Sequence, residues 1–167
     1  MEKSFLFKPG FYIALIIIFM PVVPAQQNDP SLLAFSGSYF DFNKKVNTAA
    51  EFRAEFRFNE GWGILKPFGG VMATTDGGAY VFAGGLINFF IGEHFVITPS
   101  FAPGIYYKGS GKDLYFPLEF RSQIEIAFRF TNGSRIGASL GHMSNASLGP
   151  PNPGVETFAG TIAFPVN

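Results

Sequence analysis

The sequence contains no cysteine, which removes disulfide staples and thiolate metal centres from its repertoire. It is also poor in charge. Charged residues make up 14% of the chain and the formal net charge is zero, so nothing provides the basic footprint of a nucleic-acid partner. Histidine is scarce, with two in 167 residues. No group of His, Asp and Glu falls at metal-ligand spacing, so no metal or cofactor is expected. Long hydrophobic runs are missing too. The uncharged stretch Phe11–Val23 is shorter than the roughly 20 residues a membrane-spanning helix needs. It follows Lys3 and Lys8 and precedes Val23-Pro24-Ala25, the pattern of a secretory signal peptide cleaved after Ala25. Residues 1–25 are therefore expected to be removed, and 26–167 to form one domain.

What is abundant points to β-structure. There are 22 phenylalanines and 20 glycines, a composition suited to strands with a large apolar exterior. Period-2 alternation confirms the element type. Phe52, Ala54, Phe56 and Phe58 share one face; Glu51, Arg53, Glu55 and Arg57 share the other. A second run puts Leu118, Phe120, Ile124, Ile126, Phe128 and Phe130 on one side together with Ser122. Glu119, Arg121, Gln123, Glu125 and Arg129 lie opposite. Soluble strands average about 5–6 residues, and this run is far longer. Long strands, apolar on one face and charged on the other, predict an all-β fold: an eight-stranded antiparallel transmembrane β-barrel of the bacterial outer membrane, its charged faces lining the lumen.

Turn signals place the strands near 32–43, 48–59, 63–74, 79–90, 94–107, 114–130, 134–145 and 155–166. Pro67, Pro99, Pro103 and Pro117 fall inside these segments and predict bulges or rims. With both termini and the tight turns in the periplasm, the connections near 43–47, 75–78, 108–113 and 146–154 face the cell exterior.

The chemistry concentrates between Ser139 and Phe158, in SLGHMSNASLGPPNPGVETF. His142 and Ser144 continue the apolar phase of Ile136, Ala138 and Leu140. Glu156 is in phase with Phe158, Ile162 and Phe164. All three polar groups thus project from the face that otherwise meets lipid, where an unpaired polar group is costly. A solvated loop mouth would also tolerate them. A nucleophile, a base and an orienting carboxylate are, however, the parts of a serine hydrolase. His142 and Ser144 stand about 7 Å apart at the backbone, a gap that rotamers can close. Asn145, Asn152 and the backbone N–H groups of 145–148 are candidates for an oxyanion hole, the asparagines being equally plausible as turn residues. Lys44, Lys45, Lys108 and Lys112 fall in the predicted outer loops, where they could meet phosphate. His94, at a turn on the other side, reads as structural.

His142-Met-Ser144-Asn145-Ala146, followed by Pro151-Asn152-Pro153-Gly154 and by Glu156 twelve residues after the serine, resembles the signature of the outer-membrane lipid A 3-O-deacylases of the PagL type. The resemblance implies an eight-stranded barrel with an exterior active site that hydrolyses the 3-linked hydroxyacyl ester of lipid A. It places the family's serine, histidine and glutamate on Ser144, His142 and Glu156. The partners it implies are lipid A, as part of lipopolysaccharide, and the surrounding outer-membrane lipids. It leaves the oligomeric state open. Two other readings fit the residues: an outer-membrane phospholipid acyl hydrolase, and a small barrel without enzymatic activity.

Overall fold

The structure, a computed structural model, describes residues 29–166. The expected signal peptide, residues 1–25, lies outside the described residues. Nine β-segments follow one another: β1 (Ser31–Phe40), β2 (Ala49–Arg57), β3 (Leu65–Thr74), β4 (Ala79–Ile87), β5 (Phe89–Ile91), β6 (Phe95–Tyr107), β7 (Leu118–Arg129), β8 (Arg135–Ser144) and β9 (Val155–Val166). All neighbours are antiparallel. The order β4-β3-β2-β1-β9-β8-β7-β6 closes on itself because β4 also pairs with β6. β5 continues β4 in the same register along β6, so the barrel has eight strands.

Pro117 lies at a rim, immediately before β7, but Pro67, Pro99 and Pro103 lie within strands and make no bulge. Registers stay constant along β3, β6 and β7, without a bulge. The pairing of β4 and β5 with β6 instead lapses at 83–84 and 87–88, which the register sets opposite Pro103 and Pro99. A proline has no N–H for the ladder, and on the other side of β6 the pairing with β7 is unbroken.

Strand boundaries shift where side chains intervene. The first strand ends at Phe40. Asp41 takes a left-handed conformation (φ 56°), and its carboxylate accepts the N–H groups of Val46 and Asn47. β7 begins at Leu118 and not near 114. Leu114 is buried in the core, Asp113 caps the Tyr115 N–H, and Tyr115 is left-handed. The connection after β2 runs through 58–64, longer than the tight turn expected, because Trp62 and Leu65 exchange backbone hydrogen bonds of 2.9 and 3.2 Å around Gly63.

Alternation has the predicted sense. Phe52, Ile124 and Ile126 are exposed on the outer wall, and Glu51, Arg53, Glu55, Arg57, Arg121 and Glu125 are buried inside. The charges pair. Glu55 receives Arg53 at 2.8 Å, Arg57 at 2.9 Å and Arg121 at 3.2 Å, and Arg57 also reaches Glu125 at 2.8 Å. Towards the chain termini, Asp29 meets Arg135 at 2.5 Å, with Lys66 and Arg129 beyond. Phe68, Met72, Tyr80, Phe82, Tyr106 and Met143 form one buried apolar cluster within the lumen. A void beside Glu51, Arg53, Tyr80 and Arg121 has a volume of only about 10 Å³, about one water molecule. The lumen is a packed core rather than a channel.

Candidate active site

β8 and β9 are paired so that His142 stands directly opposite Glu156, and β7 sets Ser122 on the other side of His142. The row below, on the same face, is Ile124, Leu140 and Phe158, all about half exposed. The polar row therefore caps the end of an apolar wall. His142 Nδ1 lies 3.3 Å from Glu156 Oε1, with the two side chains 49% and 25% exposed. At that distance the carboxylate favours a proton on Nδ1, and a neutral ring so oriented presents Nε2 as the base. Ser144 sits on the same face two residues on, level with Phe120 of β7. Its hydroxyl makes no hydrogen bond to the imidazole in this structure. The structure thus brings two of the three residues into contact and keeps the third one row away.

The loop after β8 frames this row. Asn145 is fully buried, and its amide donates to Leu114 O at 3.1 Å and Gly149 O at 2.9 Å while its Oδ1 accepts the Ser147 N–H at 2.8 Å. This side chain organises the loop from within and is turned away from the outer face. Asn152 is exposed on the loop, and its Oδ1 accepts the Asn145 N–H at 3.2 Å. The Leu148 N–H returns to Asn145 O. Three of the four backbone N–H groups considered as oxyanion donors are therefore engaged inside the loop. Ala146 and Ser147 are both left-handed, with φ of 52° and 65°.

Gly154 presses on the histidine. Its φ is +59°, and a Cβ there would come within 2.9 Å of His142 Cε1 and 3.5 Å of Nε2. The loop after β1 fastens the same segment, with Lys44 Nζ donating to Pro153 O and the Phe42 N–H donating to Glu156 O. Gly154→Ala is expected to cost about 1–2 kcal/mol for the left-handed backbone and to displace the His142 ring. NMR of the imidazole protons reads this directly, because His94 is the only other histidine. The His142 signals should shift while those of His94 stay in place.

The remaining candidates separate. Lys44 and Lys45 are exposed beside the row. Lys108 is half exposed and bonds Asp113 at 2.6 Å, which raises the ammonium's pKa and lowers the carboxyl's. Lys112 is a correction. Expected on an outer loop, it is buried, and its ammonium meets the buried Asp41 at 2.5 Å inside the barrel mouth. An ammonium so paired is not available to a phosphate outside. His94 stacks on Phe128 and contacts Arg129 O at 3.1 Å, a structural role at a turn. No group of acidic and histidine side chains among the described residues is arranged to hold a metal. Sequence reasoning passed over Ser122 as a site residue. Its polarity on an apolar face was the available signal, but its place beside His142 depends on the register of β7 against β8.

Residues 32–165 match the family model described as lipid A 3-O-deacylase (PagL). A search of curated proteins found no significant match. Among solved structures, the crystal structure of the outer membrane enzyme PagL aligns with a TM-score of 0.66 at 17% identity, covering 81% of this chain and 99% of that one. A de novo designed transmembrane β-barrel aligns almost as well, at 0.62 and 10% identity, over 88% of this chain and 100% of its own. Such scores establish the barrel and carry no information about activity; the family match supplies that. The chain belongs to the lipid A 3-O-deacylase (PagL) family of outer-membrane β-barrel enzymes.

Proposed function

We propose that this chain hydrolyses the 3-linked acyl ester of lipid A with Ser144 as nucleophile, His142 as base and Glu156 as the carboxylate that orients it. One observation carries the reading: the His142–Glu156 contact of 3.3 Å lies on the outer wall, on the same face as Ser144 and the exposed Leu140 and Phe158. A dyad so placed faces acyl chains, not solvent in a lumen. With the termini and short turns in the periplasm, this end of the barrel lies at the outer leaflet, where lipid A resides.

A rotamer change brings the Ser144 hydroxyl to His142 Nε2, a tightening that substrate binding commonly supplies. The imidazole takes the hydroxyl proton as Oγ attacks the ester carbonyl. Glu156, holding Nδ1–H, stabilises the imidazolium. The tetrahedral oxyanion needs donors; the Ala146 N–H is the one backbone candidate not engaged within the loop, and the Asn152 amide, which donates one N–H to Ser147 Oγ at 3.4 Å, has a second to offer. Collapse releases the glucosamine hydroxyl, which takes the proton back from His142. Water, deprotonated by the same imidazole, then frees the fatty acid from Ser144. Lys44 and Lys45, exposed on the loop after β1, are the cations assigned here to the substrate's phosphates. Ser144 is preferred to Ser122 as nucleophile because the His-x-Ser-Asn arrangement is the one that resembles the family signature.

Mass spectrometry of lipids from cells producing the protein tests the assignment. The wild type should remove one hydroxyacyl chain from lipid A and leave phospholipids intact, whereas Ser144→Ala should leave lipid A at full mass. Loss of a hydroxyacyl chain in the Ser144→Ala strain would overturn the nucleophile. Lysophospholipid in place of deacylated lipid A would favour the phospholipase reading.

A further inference from the structure

The outer wall below the candidate site has a hollow. Gly37 of β1 pairs with Gly160 of β9, and Gly160 pairs with Ala138 of β8. Gly37 and Gly160 both face outward, and open space lies where a Cβ would stand at either. The two glycines floor a depression of about 510 Å³, rimmed by Phe35, Phe52, Ile136 and Ile162, with Ala138 next to Gly160 in the same row. Glycine within a strand weakens it and commonly marks a place where another molecule approaches the backbone. Here neither glycine is needed for a turn, a bulge or a close internal approach, and a β-branched residue at either would serve the strand better.

The hollow shares β8 and β9 with the catalytic row. Ser144 lies six residues along β8 from Ala138, roughly 20 Å at 3.3 Å per residue. Leu140 and Phe158 occupy the row between His142 and the hollow. An extended hydrocarbon advances roughly 1.3 Å per carbon from C–C bonds of about 1.5 Å. An acyl chain with its carbonyl at Ser144 and its tail along β8 passes Leu140 at about its tenth carbon. It enters the hollow at about its fifteenth.

We propose that the depression over Gly37 and Gly160 receives the far end of the acyl chain being cut and so sets the chain length that the protein prefers. This rests on the assignment of Ser144 as nucleophile. The occupant is a saturated, unbranched chain, because the hollow offers outward only apolar rims and a glycine floor. Van der Waals contact with the last few carbons distinguishes long chains from short ones.

The test uses full-length protein in detergent micelles with synthetic 3-O-acyl glucosamine phosphates bearing chains of about 10 and about 16 carbons. Gly160→Ile and Gly37→Leu fill the hollow from different strands, and neither side chain meets a neighbouring atom at its Cβ. In both variants the ratio of kcat/KM for the long chain to that for the short one should fall about tenfold, the effect of losing one or two buried methylenes. An unchanged ratio in both variants, or an equal loss for both chain lengths, overturns the proposal and would mean that the hollow holds a bystander lipid or a second copy of the protein. Ser144→Ala, run alongside, separates the two claims. Its inactivity on both substrates retains the nucleophile whatever the ratios show, and its activity would remove the basis of the ruler.

Discussion

His142→Ala is expected to lower kcat/KM for lipid A deacylation at least about 10³-fold, which corresponds to about 4 kcal/mol of lost transition-state stabilisation. A serine hydroxyl at neutral pH is a poor nucleophile unless a base takes its proton as it attacks, and among the described residues no other histidine stands near Ser144 on the outer wall. His94, the second histidine, sits at a turn beside Arg129, at the opposite end of β7 from the row containing Ser122. Glu156→Gln should cost about 10²-fold or more by a different route. The amide retains the shape but cannot stabilise the imidazolium, and it can hold the ring in the wrong tautomer. Both residues are partly exposed on the barrel wall, so the thermal unfolding of either variant in micelles should match the wild type. A Glu156→Gln protein with wild-type kcat would reduce Glu156 to a cross-strand partner of no catalytic consequence.

Glu55→Leu should produce the largest loss of stability of any single change, about 3–5 kcal/mol. Glu55 is buried and is shared by Arg53, Arg57 and Arg121. Removing its carboxylate leaves cations inside a closed wall with little water to solvate them. Arg57 keeps Glu125 and Arg53 keeps Glu51, whereas Glu55 is the only carboxylate that Arg121 pairs with among the described residues. The loss should therefore be strongly non-additive. Combining Glu55→Leu with Arg121→Leu is expected to cost less than the sum of the two single changes, because the second removes the charge that the first strands. Urea unfolding in micelles of the wild type, both single variants and the double variant measures this coupling. Strict additivity would mean that the lumen network is a set of independent contacts.

The barrel was readable in the sequence because its two faces meet two different solvents. Where a strand carries Phe52, Ala54 and Phe56 against Arg53, Glu55 and Arg57, the period-2 code is unambiguous, and the register then fixes lipid side and lumen side together. The same phase put His142, Ser144 and Glu156 on one face. The apolar cluster within the lumen was not readable in this way. In β4, Val81 and Ala83 face out while Tyr80 and Phe82 face in, and a strand apolar on both sides gives no sign of which is which. Loop chemistry was hidden for another reason. Lys112 turns inward because Asp41, far away in sequence, is buried within reach of it. Asn145 turns inward because the carbonyls of Leu114, Gly149 and Pro151 converge on it. The pressure of Gly154 on His142 and the pairing of Ser122 with His142 likewise depend on tertiary approach and strand register, which local pattern does not encode.

The two serines flanking His142 make the identity of the nucleophile the point on which the account depends. Labelling the purified barrel with a long-chain alkyl fluorophosphonate, followed by peptide mass spectrometry, reads it directly. The phosphonate should be found on Ser144 in the wild type and should be nearly absent from His142→Ala. Modification of Ser122, or full deacylase activity in a protein whose Ser144 is quantitatively blocked, would contradict the account.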